Sequence, residues 1–449
     1  MRGFLKQPSV ATVIIAGCLI SMLGFGIRSS FGLYLEPMTT ARGWDRETFA
    51  LAMAIQNLIW GFGVPIAGAL ADRYGPILVM VFGAIVYASG LWWMSVVELP
   101  FMLYMACGMV VGVGVAFTAF SLAMAAMAKA VGPERRALVL GLGASAGSFG
   151  QVVFSPLALT AISQYGWQDA LVIFAAVSLL VIPLAFLLPK GRTTGKGPPE
   201  VAMTLRAAVK EATSHSGFIL LTLGFFVCGF HVAFISVHLP AYVEDLGMDA
   251  RVGAYALSIV GLFNIVGAFL GGLAGQRWSK KSTLSVIYLL RAVVITALVL
   301  STPDETIIYV FAMCMGMLWL STVPLTNSIV GQLFGMQWFA TLAGLVFLSH
   351  QIGSFLGVWL GGYMYDLTGS YDSVWWAGVA LGLVAAALHW PIDEAPVARL
   401  NADGPTPAPI PKRPESERQP AGSVGFAPAI VVVSGFVMIA IAVGMRLLR

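Results

Sequence analysis

The sequence predicts an all-α membrane protein: two six-helix bundles related by pseudo-twofold symmetry, with an extra C-terminal helix. Three observations lead there. Of the 449 residues, 58% are hydrophobic and only 10% charged, with a mean hydropathy of +0.87. A soluble domain carries about 25% charged residues, so this chain has too few to face water on all sides. Apolar runs of spanning length, about 20 residues, recur twelve times before residue 392. The string Gly68-Ala-Leu-Ala-Asp72-Arg73-Tyr-Gly75-Pro76 returns 204 residues later as Gly272-Leu-Ala-Gly-Gln276-Arg277-Trp278. Each copy sits between two apolar runs, the mark of a duplicated half.

The first half holds spans near 11–35, 48–71, 77–97, 101–127, 138–162 and 168–189. The first run is long enough to cross a bilayer and has no small-residue cleavage site, so it reads as helix 1 and not as a leader. Residues 190–215 carry Lys190, Arg192, Lys196, Arg206 and Lys210 among glycines and prolines. They read as a linker, partly helical near 201–212. The second half follows with spans near 216–243, 252–275, 283–301, 306–330, 338–365 and 372–391. With the N-terminus in the cytoplasm, the cytoplasmic segments up to the twelfth span hold fourteen basic residues and the outer loops three, Arg42, Arg46 and Arg251. That asymmetry sets the orientation, in a bacterial inner membrane. Residues 392–426, with six prolines from Pro405 to Pro420, cannot build a core and are expected to be disordered. Residues 427–449 are apolar again and read as the additional helix.

The repeated string resembles the loop 2–3 signature of the major facilitator superfamily, with a weaker copy in loop 8–9, over roughly residues 8–391. The opening Gly26-Ile-Arg28-Ser-Ser-Phe-Gly-Leu-Tyr34-Leu-Glu-Pro37, with Arg42-Gly-Trp44-Asp-Arg46, is similar to that of bacterial monocarboxylate-porter-like members, the oxalate/formate-exchanger relatives. The resemblance implies a carrier working by alternating access. Helices 1, 4, 7 and 10 would line a cavity, helices 2, 5, 8 and 11 flank it, and the rest stand outside. Gly68, Asp72, Arg73, Gly75, Gly272 and Arg277 would form the gating motif. Monocarboxylate porters also carry an Asp on helix 8 with an Arg four residues later. Asn264 and Ala268 stand there here, so that pair is missing.

Charge enclosed by a membrane is costly and usually functional. Arg28 on helix 1 and Arg291 on helix 9 lie well inside apolar runs, whereas every Asp and Glu lies in a loop or near a helix end. A cavity with a fixed cation and no fixed anion favours an anionic solute, and a guanidinium can grip a carboxylate through two parallel hydrogen bonds. Arg28 is therefore the principal binding candidate, and Arg291, on a peripheral helix, a structural bond. His231 and His238 are two helical turns apart and share a face. Facing the cavity, they would serve substrate or proton. Gln56 and Asn57 on helix 2, Asn264 on helix 8, Asn327 on helix 10, and His350 and Gln351 on helix 11 are further candidates, with Tyr34, Trp319 and Phe230 shaping the cavity.

Other chemistry is not indicated. No Walker A lysine motif is present, so ATP drive is not expected. Cys18, Cys107, Cys228 and Cys314 stand singly in apolar runs without metal-ligand spacing. No metal, cofactor or enzymatic motif is found, and the dispersed basic residues do not suggest nucleic acid. The expected protein is a monomer in the lipid bilayer, a secondary transporter moving a small organic anion such as a mono- or aromatic carboxylate, with protons or by exchange. Efflux of hydrophobic drug-like compounds, or a non-transporting membrane sensor, are the alternatives.

Overall fold

A computed structural model describes residues 9–131, 136–189, 203–335 and 337–402, with the side chains of residues 72, 129, 136–138 and 401–402 excepted. Residues 190–202 of the expected linker, the tail beyond 402, the helix expected at 427–449 and the side chain of Asp72 lie outside the described residues.

Every regular element among the described residues is helical. The spans are α1 (Val10–Arg42), α2 (Arg46–Tyr74), α3 (Pro76–Ser95) and α4 (Pro100–Ala128). α5 and α6 are the two arms of the run Val139–Ala185, bent at Gly166. There φ is +82°, a value glycine adopts without strain. The second half comprises α7 (Ser216–Asp245), α8 (Ala250–Arg277), α9 (Lys280–Leu300), α10 (Glu305–Phe334), α11 (Phe339–Thr368) and α12 (Asp372–His389). Packing repeats with a shift of six helices. α1 lies on α5 as α7 lies on α11, α2 on α4 as α8 on α10, and α3 on α6 as α9 on α12. The halves meet along two related seams, α2 with α11 and α8 with α5.

Lipid offers no hydrophobic drive between helices, so close approach rests on small residues. A Cβ at Gly26 of α1 would strike the backbone of Gly150 on α5, and one at Gly229 of α7 would strike the His350 carbonyl on α11. Three lining helices are interrupted. α1 tightens to a 3₁₀ turn at Phe31–Tyr34, α4 contains a π segment at Tyr104–Val111 and breaks at Thr118, and α10 breaks between Leu318 and Thr322. Backbone groups freed in lipid must find partners inside the protein. Thr118 Oγ1 donates to the Gly114 carbonyl at 2.7 Å, and Leu320 N donates to Asn264 Oδ1 at 2.9 Å.

The seams are tight at one end and parted at the other. The motif end is the side where the α2–α3 and α8–α9 turns lie. Away from it, a Cβ at Gly362 of α11 would lie 2.6 Å from the Ala50 Cβ of α2, and one at Gly261 of α8 would lie 2.9 Å from the Ser148 carbonyl of α5. Toward the motif end, a Cβ at Gly68, Gly141, Gly272 or Gly344 would meet nothing within 4 Å. A central cavity therefore opens at the motif end.

The tail departs from expectation over its first residues. Ile392 is fully buried, Val397 N donates to the Leu333 carbonyl at 3.0 Å, and Arg399 bridges Glu211 and the Phe334 carbonyl at 3.0 and 2.6 Å. Residues 392–402 thus tie the connector helix Leu205–Ser214 to the motif end of α10.

Candidate functional site

Arg28 is half-buried against α2. Its Nη2 donates to Asn57 Oδ1 of α2, and its guanidinium sits over the Trp60 ring, 4.6 Å from the centroid. Asn57 is eleven residues from Arg46 at the start of α2, about 16 Å at 1.5 Å per residue and so near mid-bilayer. The side chain does not reach for headgroups, and no carboxylate is among its described partners.

The donors around Arg28 outnumber their acceptors. Arg28 Nε, Asn57 Nδ2, Trp60 Nε1 and the Tyr87 hydroxyl are buried and have no hydrogen-bond partner, with Tyr87 within electrostatic range of Arg28. Burying an unsatisfied donor costs about 1–3 kcal/mol, and four such donors gather around this arginine. It adjoins the second half directly. Gln351 Nε2 of α11 donates to the Asn57 carbonyl at 3.0 Å, and Gln351 Oε1 accepts from His350 Nδ1 at 3.0 Å. Phe347 of α11 meets Trp60 edge to face at 5.7 Å and stacks on His350 at 5.8 Å. Arg28, Asn57, His350 and Gln351 are thus brought together at the closed side of the cavity.

The other expected residues are placed elsewhere. Gln56 turns to the Cys107 carbonyl of α4, and Tyr34 packs edge-on against Phe174 inside the first half. Asn264 joins the α8–α5 seam, donating to Ser148 Oγ at 2.9 Å. Trp319 is buried at the break in α10 and Asn327 is half-buried in the arm beyond. His231 and His238 share a face as expected, but it packs on α11 and α12 and not on the cavity. His231 Nε2 donates to the Gly378 carbonyl at 2.7 Å and His238 Nε2 to the Val358 carbonyl at 2.8 Å. Arg291 is wholly buried and donates to the Leu318 and Trp319 carbonyls. A cation at the C-terminus of the broken helix satisfies its orphan carbonyls. In the motif, Gly75 takes φ +91° between α2 and α3, with Pro76 opening α3. Arg73 and Arg277 are exposed at the turns.

A second cluster, which sequence reasoning missed, closes the end opposite the motif. Arg46 bonds Asp245 through both terminal nitrogens at 2.6 and 2.7 Å, Glu36 at 2.8 Å and the Tyr371 hydroxyl at 3.0 Å, and lies 3.8 Å over the Tyr365 ring. Asp366 of α11 accepts from the backbone N of Arg46 and Glu47, capping α2 from the other half. Trp359 donates to Glu47 Oε1 at 2.9 Å. Four carboxylates and two tyrosines at helix ends were the available signal, but nothing local to the sequence says that those ends meet.

Comparison with known proteins agrees with this architecture. The model of the family described as Major Facilitator Superfamily matches residues 15–358, over three quarters of the chain. Monocarboxylate transporter 13 of Rattus norvegicus is 28% identical over 365 residues, covering 80% of this chain and 83% of the relative. The uncharacterized MFS-type transporter YcxA of Bacillus subtilis (strain 168) is 24% identical over 386 residues, covering 81% and 91%. A crystal structure of a D-xylose–proton symporter superposes with a TM-score of 0.68 at 15% identity, covering 85% of this chain and 98% of that one.

Proposed function

The chain belongs to the major facilitator superfamily, and from that premise we propose that it carries a small organic anion, a carboxylate, by alternating access, with Arg28 holding the negative group. The carrying observation is the cluster of unpaired donors around an arginine with no acidic partner described. A carboxylate oxygen pair accepts from the guanidinium, while Asn57 Nδ2 and Trp60 Nε1 offer further hydrogen bonds. The name of the rat relative supports the same cargo class. The absent helix-8 pair sets a difference: Asn264 is occupied by Ser148 and Leu320, so any proton or exchange coupling uses other groups. The excess of basic residues on the motif side supports a cytoplasmic motif end, with the N-terminus there too. In that orientation this conformation opens inward. A monomer in a bacterial inner membrane completes the reading.

Uptake into proteoliposomes tests it. Labelled short-chain and aryl carboxylates should enter, and unlabelled carboxylates but not their amides should compete. Arg28→Ala should abolish uptake and Arg28→Lys should keep part of it. Uptake and competition unchanged in Arg28→Ala would overturn the assignment.

A further inference from the structure

His238 stands one hydrogen bond from the Arg46 cluster. Its Nε2 must carry the hydrogen, because its partner at 2.8 Å is the Val358 carbonyl. In the neutral ring Nδ1 is then an acceptor. It takes the hydrogen of the Tyr371 hydroxyl at 3.2 Å, and the same Tyr371 oxygen accepts from Arg46 Nη1 at 3.0 Å. Burial holds the Tyr371 hydroxyl above its ordinary pKa, so it keeps the proton it donates. The chain therefore runs from α11 through α7 and the α11–α12 turn to α2, and crosses between the halves.

We propose that His238 is a proton-sensitive positioning residue: neutral, it aims Tyr371 to hold Arg46 and keep this end closed; protonated, it releases the end to open. Once protonated, Nδ1 is a donor, and the Tyr371 oxygen faces two donors, both cationic. Two positive charges joined through one hydroxyl in a water-poor interior repel each other, and the Arg46 bonds weaken with them. The ionisable groups facing this chain are Glu36 on α1; Arg46 and Glu47 on α2; Tyr242, Glu244 and Asp245 on α7; Tyr365 and Asp366 on α11; and Tyr371 and Asp372 at the head of α12. The carboxylates favour a cation as a group, but Arg46 already occupies the direct bonds to Asp245 and Glu36. The step rests on the proton-coupled form of the function proposed above, and it supplies the titrating group that the missing helix-8 pair leaves open.

Spin labels at Ala41→Cys and Ser373→Cys, exposed positions at this end of the two halves, report its opening in liposomes without substrate. The background replaces the native cysteines. His238 is fully buried beside the Arg46 charge, which disfavours the imidazolium, so buffers near pH 7.5 and about pH 4 are compared, the lower one well below the ordinary histidine range. In the otherwise unchanged protein the long-distance population should rise several-fold at the lower pH. His238→Asn keeps an acceptor toward Tyr371 but cannot titrate, so it should stay closed at both pH values. Tyr371→Phe should be more open than the parent at the higher pH and insensitive to pH. A response to pH retained in His238→Asn, or absent in the parent, would overturn the proposal. Carboxylate uptake dependent on Arg28 is read separately, so each failure is distinguishable from the other.

Discussion

Arg28 and Arg291 are the same side chain given different acceptors. Arg291 gives Nε and Nη2 to the carbonyls that the break in α10 leaves free, while its Nη1 is buried without a partner. Arg28 has one side-chain acceptor described, an amide oxygen, and keeps Nε unpaired. Removing Arg291 strands buried carbonyls at about 1–3 kcal/mol each, whereas removing Arg28 strands at most the Asn57 oxygen. Arg291→Met should therefore lower the Tm by several degrees in detergent, and Arg28→Ala should leave it nearly unchanged while abolishing uptake. Equal thermal losses in the two variants would show that Arg28 too is a structural bond. Both arginines were legible as charges inside apolar runs. Their division of labour was not: Pro324 marks a break at Leu318–Ser321, but nothing local to the sequence says that the freed carbonyls meet Arg291.

At the scale of elements, α2 borrows its cap. Its own N-cap residue, Asp45, makes no side-chain cap bond, and the first backbone N–H groups go instead to Asp366 of α11. The cap is thus available only while the halves touch at this end, and opening must surrender it. An N-cap carboxylate is worth about 0.5–2 kcal/mol. Asp366→Ala should accordingly raise the open-to-closed ratio at this end about five-fold, read with the labels at Ala41→Cys and Ser373→Cys. An unchanged ratio would mean that Asp45 takes over the cap without loss. The spans themselves were legible from hydropathy and the repeat, since both are local properties. Helix faces were not. α7 is apolar on all sides, and such a helix gives no amphipathic signal; His231 and His238 could thus be paired on one face but not pointed. The Arg46 cluster stayed hidden for the converse reason: polar residues at helix ends are ordinary, and their meeting is tertiary.

Across the whole molecule, alternating access reduces to four helix faces that are crowded at one end and empty at the other. Gly68 lies seven residues from Gly61, whose Cβ position is 2.8 Å from the Gln351 Cβ; Gly344 lies seven from Gln351; Gly141 lies seven from Ser148; and Gly272 lies eleven from Gly261. Each spacing is two or three turns, so the open glycines continue the faces that touch farther up. Closing the motif end must bring Gly68 toward α11 and Gly272 toward α5, which makes the repeated glycines of the motif contact surfaces for the conformation not seen here. A Val at either position fits the present gap. It should leave the Tm unchanged, hold the motif end open and stop transport. Gly362→Val should do the reverse. Its branched side chain would press on Ala50 and the backbone of Glu47, an overpacking worth about 1–3 kcal/mol against the closed end. Distances between spin labels across each end read both effects in one set of samples. Wild-type transport in Gly68→Val and Gly272→Val would show that the seams do not close by this approach, and that the motif glycines serve the turn alone.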